Sequence, residues 1–214
     1  MKAPALVPNL PDDMHCVQCC AKMVIDYFHP ERQVSIEELE KATAFGPSGT
    51  WEMHELLNYE GLGIEAKMIA DFDYAAFAKD PETYLRKTVG PKLAERFLAQ
   101  TNDIELEKQG SQEVANKNLA EVRIPTKKDV LHYIKSGWLV MLLVNIRKLH
   151  EPEEKGYMGH RILAYDTTEK GVIINDPGAP ARAGALLDWT KLERAWADPK
   201  PKAKAMIIVR KLKN

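Results

Sequence analysis

Residues 12–28 read DDMHCVQCCAKMVIDYF, and all three cysteines of the chain, Cys16, Cys19 and Cys20, fall within five residues of this stretch. The apolar positions recur at helical steps, with Cys16, Cys20, Met23, Val24 and Tyr27 on or near one face. Asp12 and Asp13 stand just ahead, where carboxylates accept bonds from the free N–H groups of a helix start. The pattern predicts a buried helix running to about Phe28, stopping before His29-Pro30, with Cys16 in its first turn. A thiol there feels the positive end of the helix dipole, which favours thiolate over thiol. That is the electrostatic position of an activated nucleophile. Cys19 and Cys20 read as small buried hydrophobes. A zinc cluster of His15, Cys16, Cys19 and Cys20 is the competing reading. Four ligands from six contiguous residues on one helix do not easily surround a tetrahedral ion, and no second Cys pair completes the set. Neither a metal nor a cofactor is expected.

Composition narrows the class. The 214 residues suffice for one sizeable domain or two small ones. With 45% hydrophobic and 29% charged residues the chain is ordinary for a soluble globular protein. A net charge of −1 gives no electrostatic case for nucleic acid or an anionic membrane surface. The longest apolar run, 138–144, is strand-sized, so no membrane span is expected. The start, MKAPALVPNLPDD, lacks the apolar segment of a secretory signal. Clustered cysteines without an export signal predict free thiols in a reducing, cytoplasmic setting. Oligomeric state is not legible.

Working outward, residues 1–11 are Pro-rich and extended, and Ser35 to Glu38 is a capping box opening a helix over 36–43. Gly46-Pro47-Ser48-Gly49 is a loop, Thr50 caps a helix over 51–60 ended by Gly61, and 64–69 is a strand. Residues 71–125 are charged, with helical patterns over 74–89 and 91–100 and a strand or loop near 104–108. They hold few large apolar residues, so they read as a helical insertion covering the core of one domain, 1–214. Thr126 to Asp129 opens a helix ending at Lys135, and WLVMLLVNI at 138–146 is a central strand buried on both faces. A charged loop follows at 148–157. Strands at 160–165 and 171–175 join through a turn, then come a short strand at 185–187, a helix at 190–196 and a last strand at 206–211. Helices lead and strands follow, which gives an α+β class. Trp51, Trp138, Trp189 and Trp196 read as core packing in preference to a cleft lining.

A cysteine nucleophile needs a base within hydrogen-bond reach and a group to orient that base. Of six histidines, His15 neighbours Cys16 but adjacent helical residues point apart, while His29, His54, His132 and His150 read as structural or solvated. His160 opens a strand whose partner ends in Asn175-Asp176-Pro177-Gly178. A hairpin turning about Thr168 puts His160 opposite Asp176, whose carboxylate then accepts Nδ1–H and leaves Nε2 for a thiol proton. A one-residue slip puts Asn175 there instead, and Asn can orient a histidine equally well.

HCVQCCAKMVIDYF, GLGIEA, SGWLVMLLVN, GHRILAYD and VIINDPG, in that order, resemble the papain-like, bacteriocin-processing (double-glycine) cysteine peptidases and their stand-alone relatives. The resemblance covers about 12–69 and 126–178, not 71–125. It implies an N-terminal helical half carrying Cys16, packed on a C-terminal antiparallel β-sheet carrying His160. It also implies a Cys16 nucleophile, a His160 base and acid, an Asp176 orienter and a thioester acyl-enzyme on a peptide or amide substrate. The family's Gln six residues before the Cys is Leu10 here, and the Gly often found after the Cys is Val17. The oxyanion donors beside the Cys16 N–H are then Asn9 or Gln18. Two readings compete with a cysteine hydrolase: a catalytically inactive papain-like fold used as a binding module, and a small metal-binding or redox-sensing protein built on the cysteines.

Overall fold

The computed structural model describes residues 2–46, 50–101, 103–151 and 153–212. Three helices come first, α1 (Cys16–Phe28), α2 (Ile36–Ala42) and α3 (Glu52–Gly61), followed by strand β1 (Ile64–Ala70). The intervening segment forms α4 (Tyr74–Lys79), α5 (Pro81–Val89), α6 (Pro91–Gln100), α7 (Ile104–Asn116) and β2 (Ala120–Val122). The remainder is α8 (Lys127–Lys135), β3 (Leu139–Asn145), α9 (Ile146–His150), β4 (Gly159–Thr167), β5 (Gly171–Asp176), β6 (Arg182–Asp188), α10 (Trp189–Trp196) and β7 (Ala205–Lys211). Of the loop expected at 46–49, Pro47, Ser48 and Gly49 lie outside the described residues.

Seven strands form one sheet in the order β2-β1-β7-β3-β4-β5-β6. The apolar run of β3 takes the central place. Its period-two alternation feeds two cores, because successive side chains point to opposite faces. Leu139 and Met141 meet Cys20, Ala21, Met23 and Val24 of α1 on one face. Val140, Leu142 and Val144 meet Val130 and Ile134 of α8 and Leu192 and Trp196 of α10 on the other. Each Leu, Ile, Val or Met side chain so buried contributes about 1.5–3 kcal/mol relative to exposure. The α+β class and the packing of the Cys16 helix on the sheet are as expected. The sheet is not wholly C-terminal or antiparallel: β1 pairs antiparallel with the last strand β7, and β2 adds to it in parallel.

Residues 71–125 differ from expectation in three places, one of them the unforeseen strand β2. The single helix over 74–89 is two, because Asp80 both ends α4 and caps α5, with Pro81 as its first residue and the Asp80 carboxylate accepting the Thr83 N–H at 3.0 Å. The stretch 104–108 is helical. Ile104 and Leu106 alternate like a strand, but the buried positions Glu107, Gly110, Ser111 and Val114 follow helical spacing, and the Asp103 carboxylate caps α7. Gly110 lets α7 approach α3 closely, since a Cβ there would stand 3.0 Å from the His54 ring. Tyr74, Phe77, Leu85, Ala94 and Val114 join the same core as α1 and β1. Helix α3 is capped at Trp51, not Thr50, and a short helix, α9, occupies the start of the expected 148–157 loop.

Candidate functional site

The start of α1 is built differently from the sequence expectation. The N-cap residue is His15, and neither Asp12 nor Asp13 caps the helix. Asp12 bends back: its Oδ1 accepts the Met14 N–H at 3.2 Å and lies 3.0 Å from His15 Nδ1. His15 Nε2 meets Glu40 Oε1 at 2.7 Å, and the ring packs on Phe45 with centroids 4.5 Å apart. The Asn9 side chain closes the turn, accepting the His15 N–H at 2.9 Å and donating to Asp13 Oδ1 at 2.7 Å. Cys16 is thereby fixed as the first helical residue, where backbone N–H groups have no partner within the helix.

Cys16 is the partly exposed cysteine; Cys19 and Cys20 are buried. Cys19 Sγ donates to the Pro8 carbonyl at 3.4 Å and Cys20 Sγ to the Arg161 carbonyl at 3.5 Å. Burial pushes the Cys19 thiol up to about 12 and the Cys20 thiol well above its ordinary value. Both behave as core thiols. For Cys16, burial is outweighed by a hydrogen bond and charge from His160, so its pKa falls below the ordinary thiol value. Among the described residues no three His, Cys, Asp or Glu side chains converge as a metal site.

His160 lies on β4 opposite Val144 and is 3% exposed. Its Nε2 is 2.7 Å from Asp176 Oδ1, so Nδ1 is the nitrogen left for the thiol, the reverse of the expected orientation. The pairing is also not directly opposed. Leu163 pairs with Asn175 and Ala164 with Ile174, with a bulge beyond, so Asp176 reaches His160 along a diagonal of the same face. Gly178 makes room for this contact: a Cβ there would stand 3.1 Å from Asp176 Oδ1 and 3.2 Å from His160 Nε2. Its N–H donates to Asp176 Oδ1 at 2.9 Å. Burial alone would lower the His160 pKa, but hydrogen bonds to Asp176 and Cys16 raise it to about 9. Burial would raise the Asp176 pKa, but bonds from His160, Arg182 and the Gly178 N–H hold it far below the usual carboxylate range.

Two candidates are engaged elsewhere. Gln18 donates to Thr43 Oγ1 and Thr50 Oγ1, each at 2.8 Å. The Thr43 hydroxyl donates to the Leu39 carbonyl at 2.7 Å, so Thr43 must accept from Gln18. With both amide hydrogens taken, Gln18 clamps α1 to α2 and is not available as an oxyanion donor. Asn175 does not orient His160: its amide donates to the Pro4 carbonyl at 2.9 Å and accepts the Gly184 N–H at 3.0 Å.

The sequence reading missed Arg161 and Arg182. Arg161 is 2% exposed and reaches Glu55 at 3.2 Å and Glu52 at 3.4 Å; Tyr59 donates to the same Glu55 at 3.0 Å. The available signal was a charged residue inside an apolar strand facing a Glu pair at helical i,i+3 spacing on α3. Arg182 Nη2 donates to Asp176 Oδ2 at 2.6 Å. Its position on an edge strand carries no such signal.

Comparison with known proteins places the fold. No protein-family profile matches the chain, and no curated protein matches its sequence. The architecture is similar to the peptidase domain of Streptococcus ComA, a bi-functional ABC transporter involved in a quorum-sensing pathway. The TM-score is 0.50 at 12% identity, covering 96% of this chain and 97% of that one. The chain therefore has the papain-like fold of that peptidase domain. Among the described residues, no helix is long and apolar enough to cross a membrane.

Proposed function

We propose that this chain is a cytoplasmic, papain-like cysteine hydrolase acting on peptide or amide bonds, a relative of the bacteriocin-processing peptidases, with residues 1–214 forming one domain. The observation that carries this is a partly exposed thiol at a helix start, its pKa lowered by a buried histidine whose Nε2 meets a buried aspartate at 2.7 Å. The lowered thiol and raised imidazole favour a thiolate–imidazolium pair. Cys16 Sγ attacks the carbonyl carbon, and the Cys16 N–H with the second amide hydrogen of Asn9 receives the oxyanion. His160 gives its Nδ1 proton to the leaving amine as the C–N bond breaks, leaving a thioester. His160 then takes a proton from water, whose oxygen attacks the thioester and releases acid and thiolate. Asp176 keeps its charge and holds the ring.

A second reading, a non-catalytic binding module, is favoured by one observation: Leu10 stands at the usual oxyanion Gln position and the Gln18 amide is taken by two threonines. The pH dependence of Cys16 alkylation, read by mass spectrometry, separates the two. Reactivity persisting to about pH 5, lost in His160→Ala, supports the hydrolase. An ordinary midpoint near about pH 8.5 supports the binding module. Turnover of a peptide substrate that survives Cys16→Ala removes the hydrolase reading.

A further inference from the structure

Asp176 is 0% exposed and takes three donors. His160 Nε2 and the Gly178 N–H lie on Oδ1, and Arg182 Nη2 lies on Oδ2. Arg182 stands directly opposite Asp176 in the β5–β6 register, with its side chain 38% exposed and capping the buried carboxylate from the solvent side. This pairing depends on a register shift. Ile174 pairs with Ala185, and the shift between Ile174 and Asp176 brings Arg182 into line. In an unshifted pair Ala183 would oppose Asp176, and Arg182 would turn to the other face of the sheet. Asn175 holds the shift. Its Oδ1 accepts the N–H of Gly184, which has φ +60°, and its Nδ2 ties the strand to the Pro4 carbonyl.

We propose that Arg182 is a positioning residue for the His160–Asp176 pair, turning the Asp176 carboxylate so that Oδ1 faces His160, and that Asn175 sets the strand register that delivers it. The inference rests on reading Cys16, His160 and Asp176 as one catalytic set. A buried carboxylate with one oxygen unpaired rotates toward water or takes up a proton, because desolvating an unpaired acceptor is costly. A guanidinium on Oδ2 removes both escapes.

Charge and orientation act on His160 with opposite sign. The Arg182 cation repels an imidazolium, so losing the charge alone raises the His160 midpoint. Losing the orientation of Asp176 lowers it. The groups acting on His160 are Cys16 on α1 and Asp176 on β5, with Arg182 on β6 behind the carboxylate; His150 at the end of α9 is close enough to feel His160, and burial and then Arg182 hold it below its ordinary pKa. Arg161 is its chain neighbour on β4.

The test is imidazole NMR titration of the full chain as wild type, Arg182→Met and Arg182→Lys, each also carrying His150→Gln to remove the nearest competing signal. Wild type is expected to hold the His160 proton to about pH 9. Arg182→Met should lower that midpoint by about one pH unit or more, a tenfold loss of imidazolium, and raise the acid midpoint of Cys16 alkylation. Arg182→Lys keeps a donor and should restore most of the wild-type midpoint. A His160 midpoint unchanged or raised in Arg182→Met overturns the proposal. Should Arg182→Met not fold, Arg182→Leu, which likewise leaves Oδ2 without a donor, carries the same comparison: a lowered midpoint supports it and an unchanged or raised one overturns it. Ordinary Cys16 reactivity in wild type sinks the hydrolase reading on its own, while the imidazole midpoint still decides the role of Arg182.

Discussion

His160 presents Nε2 to Asp176 Oδ1 at 2.7 Å along a diagonal of the β4–β5 pair, with the bare backbone of Gly178 closing the gap. The carboxylate holds the proton on Nε2, which leaves Nδ1 as the nitrogen for the thiol in the proposed pair. The geometry also makes the pair dependent on a carboxylate, since an amide turned to the same hydrogen bond offers no charge to an imidazolium.

Asp176→Asn should therefore uncouple the pair without unfolding it. The His160 midpoint should fall from about 9 toward the unperturbed imidazole value of about 6.5. Cys16 alkylation at mildly acidic pH should slow by about tenfold or more, since each unit of midpoint is a factor of ten. Labelling rates against pH in both proteins check this; superimposed profiles contradict it.

Stability should respond to pH with a definite sign. His160 has a raised pKa, so the stability it lends is complete below the ordinary imidazole value and is lost as pH rises through about 9. Asp176 has a depressed pKa, so its share is present above the ordinary carboxylate range and is lost as pH falls through and below it. Wild type should lose thermal stability on both limbs, and His160→Gln should flatten the alkaline one. Melting temperatures from about pH 2 to about pH 10 measure this, and an alkaline limb identical in His160→Gln contradicts it.

Much of the fold was legible because it rests on local pattern. The β3 run announces a strand covered on both faces, and the Ser35 and Thr126 capping boxes mark their helices to within a residue or so. The proximity of His160 to Asp176 tolerates the register error, because residues two apart on a strand share a face. What failed depends on long-range partners. Gln18 reads as a polar residue beside the nucleophile until Thr43 and Thr50, distant in sequence, take its amide. Asn175 reads as an orienter until a bulge and the Pro4 carbonyl claim it. Strand bulges leave no reliable mark on composition, so neither the diagonal contact nor Arg182 could be read from spacing.

Gln18→Ala separates a structural amide from an oxyanion donor. It leaves two threonine hydroxyls without their buried partner and should cost about 1–3 kcal/mol of stability. The Cys16 alkylation profile should stay as in wild type. Chemical denaturation and labelling together read both effects. Any turnover found for the wild type should fall far less in Gln18→Ala than the 100-fold or so that loss of an oxyanion donor brings.

The buried cation of Arg161 answers to two carboxylates, Glu55 and Glu52, of which only Glu55 is fully shielded from water. Removing the charge of Glu55 strands a guanidinium in the core beneath α1 and α3. Breaking a buried pair from one side costs about 3–5 kcal/mol, so Glu55→Gln should be strongly destabilised. Glu52→Gln should cost much less, because its carboxylate is partly solvated and Glu55 remains. Since Arg161 also helps to hold the Cys16 pKa down, Glu55→Gln leaves that cation less neutralised and should shift the acid midpoint of Cys16 alkylation further downward wherever the protein stays folded. Urea denaturation of both variants, with labelling of the folded fraction, tests the ranking; equal losses from Glu52→Gln and Glu55→Gln would show that burial of Glu55 is not what sets the cost.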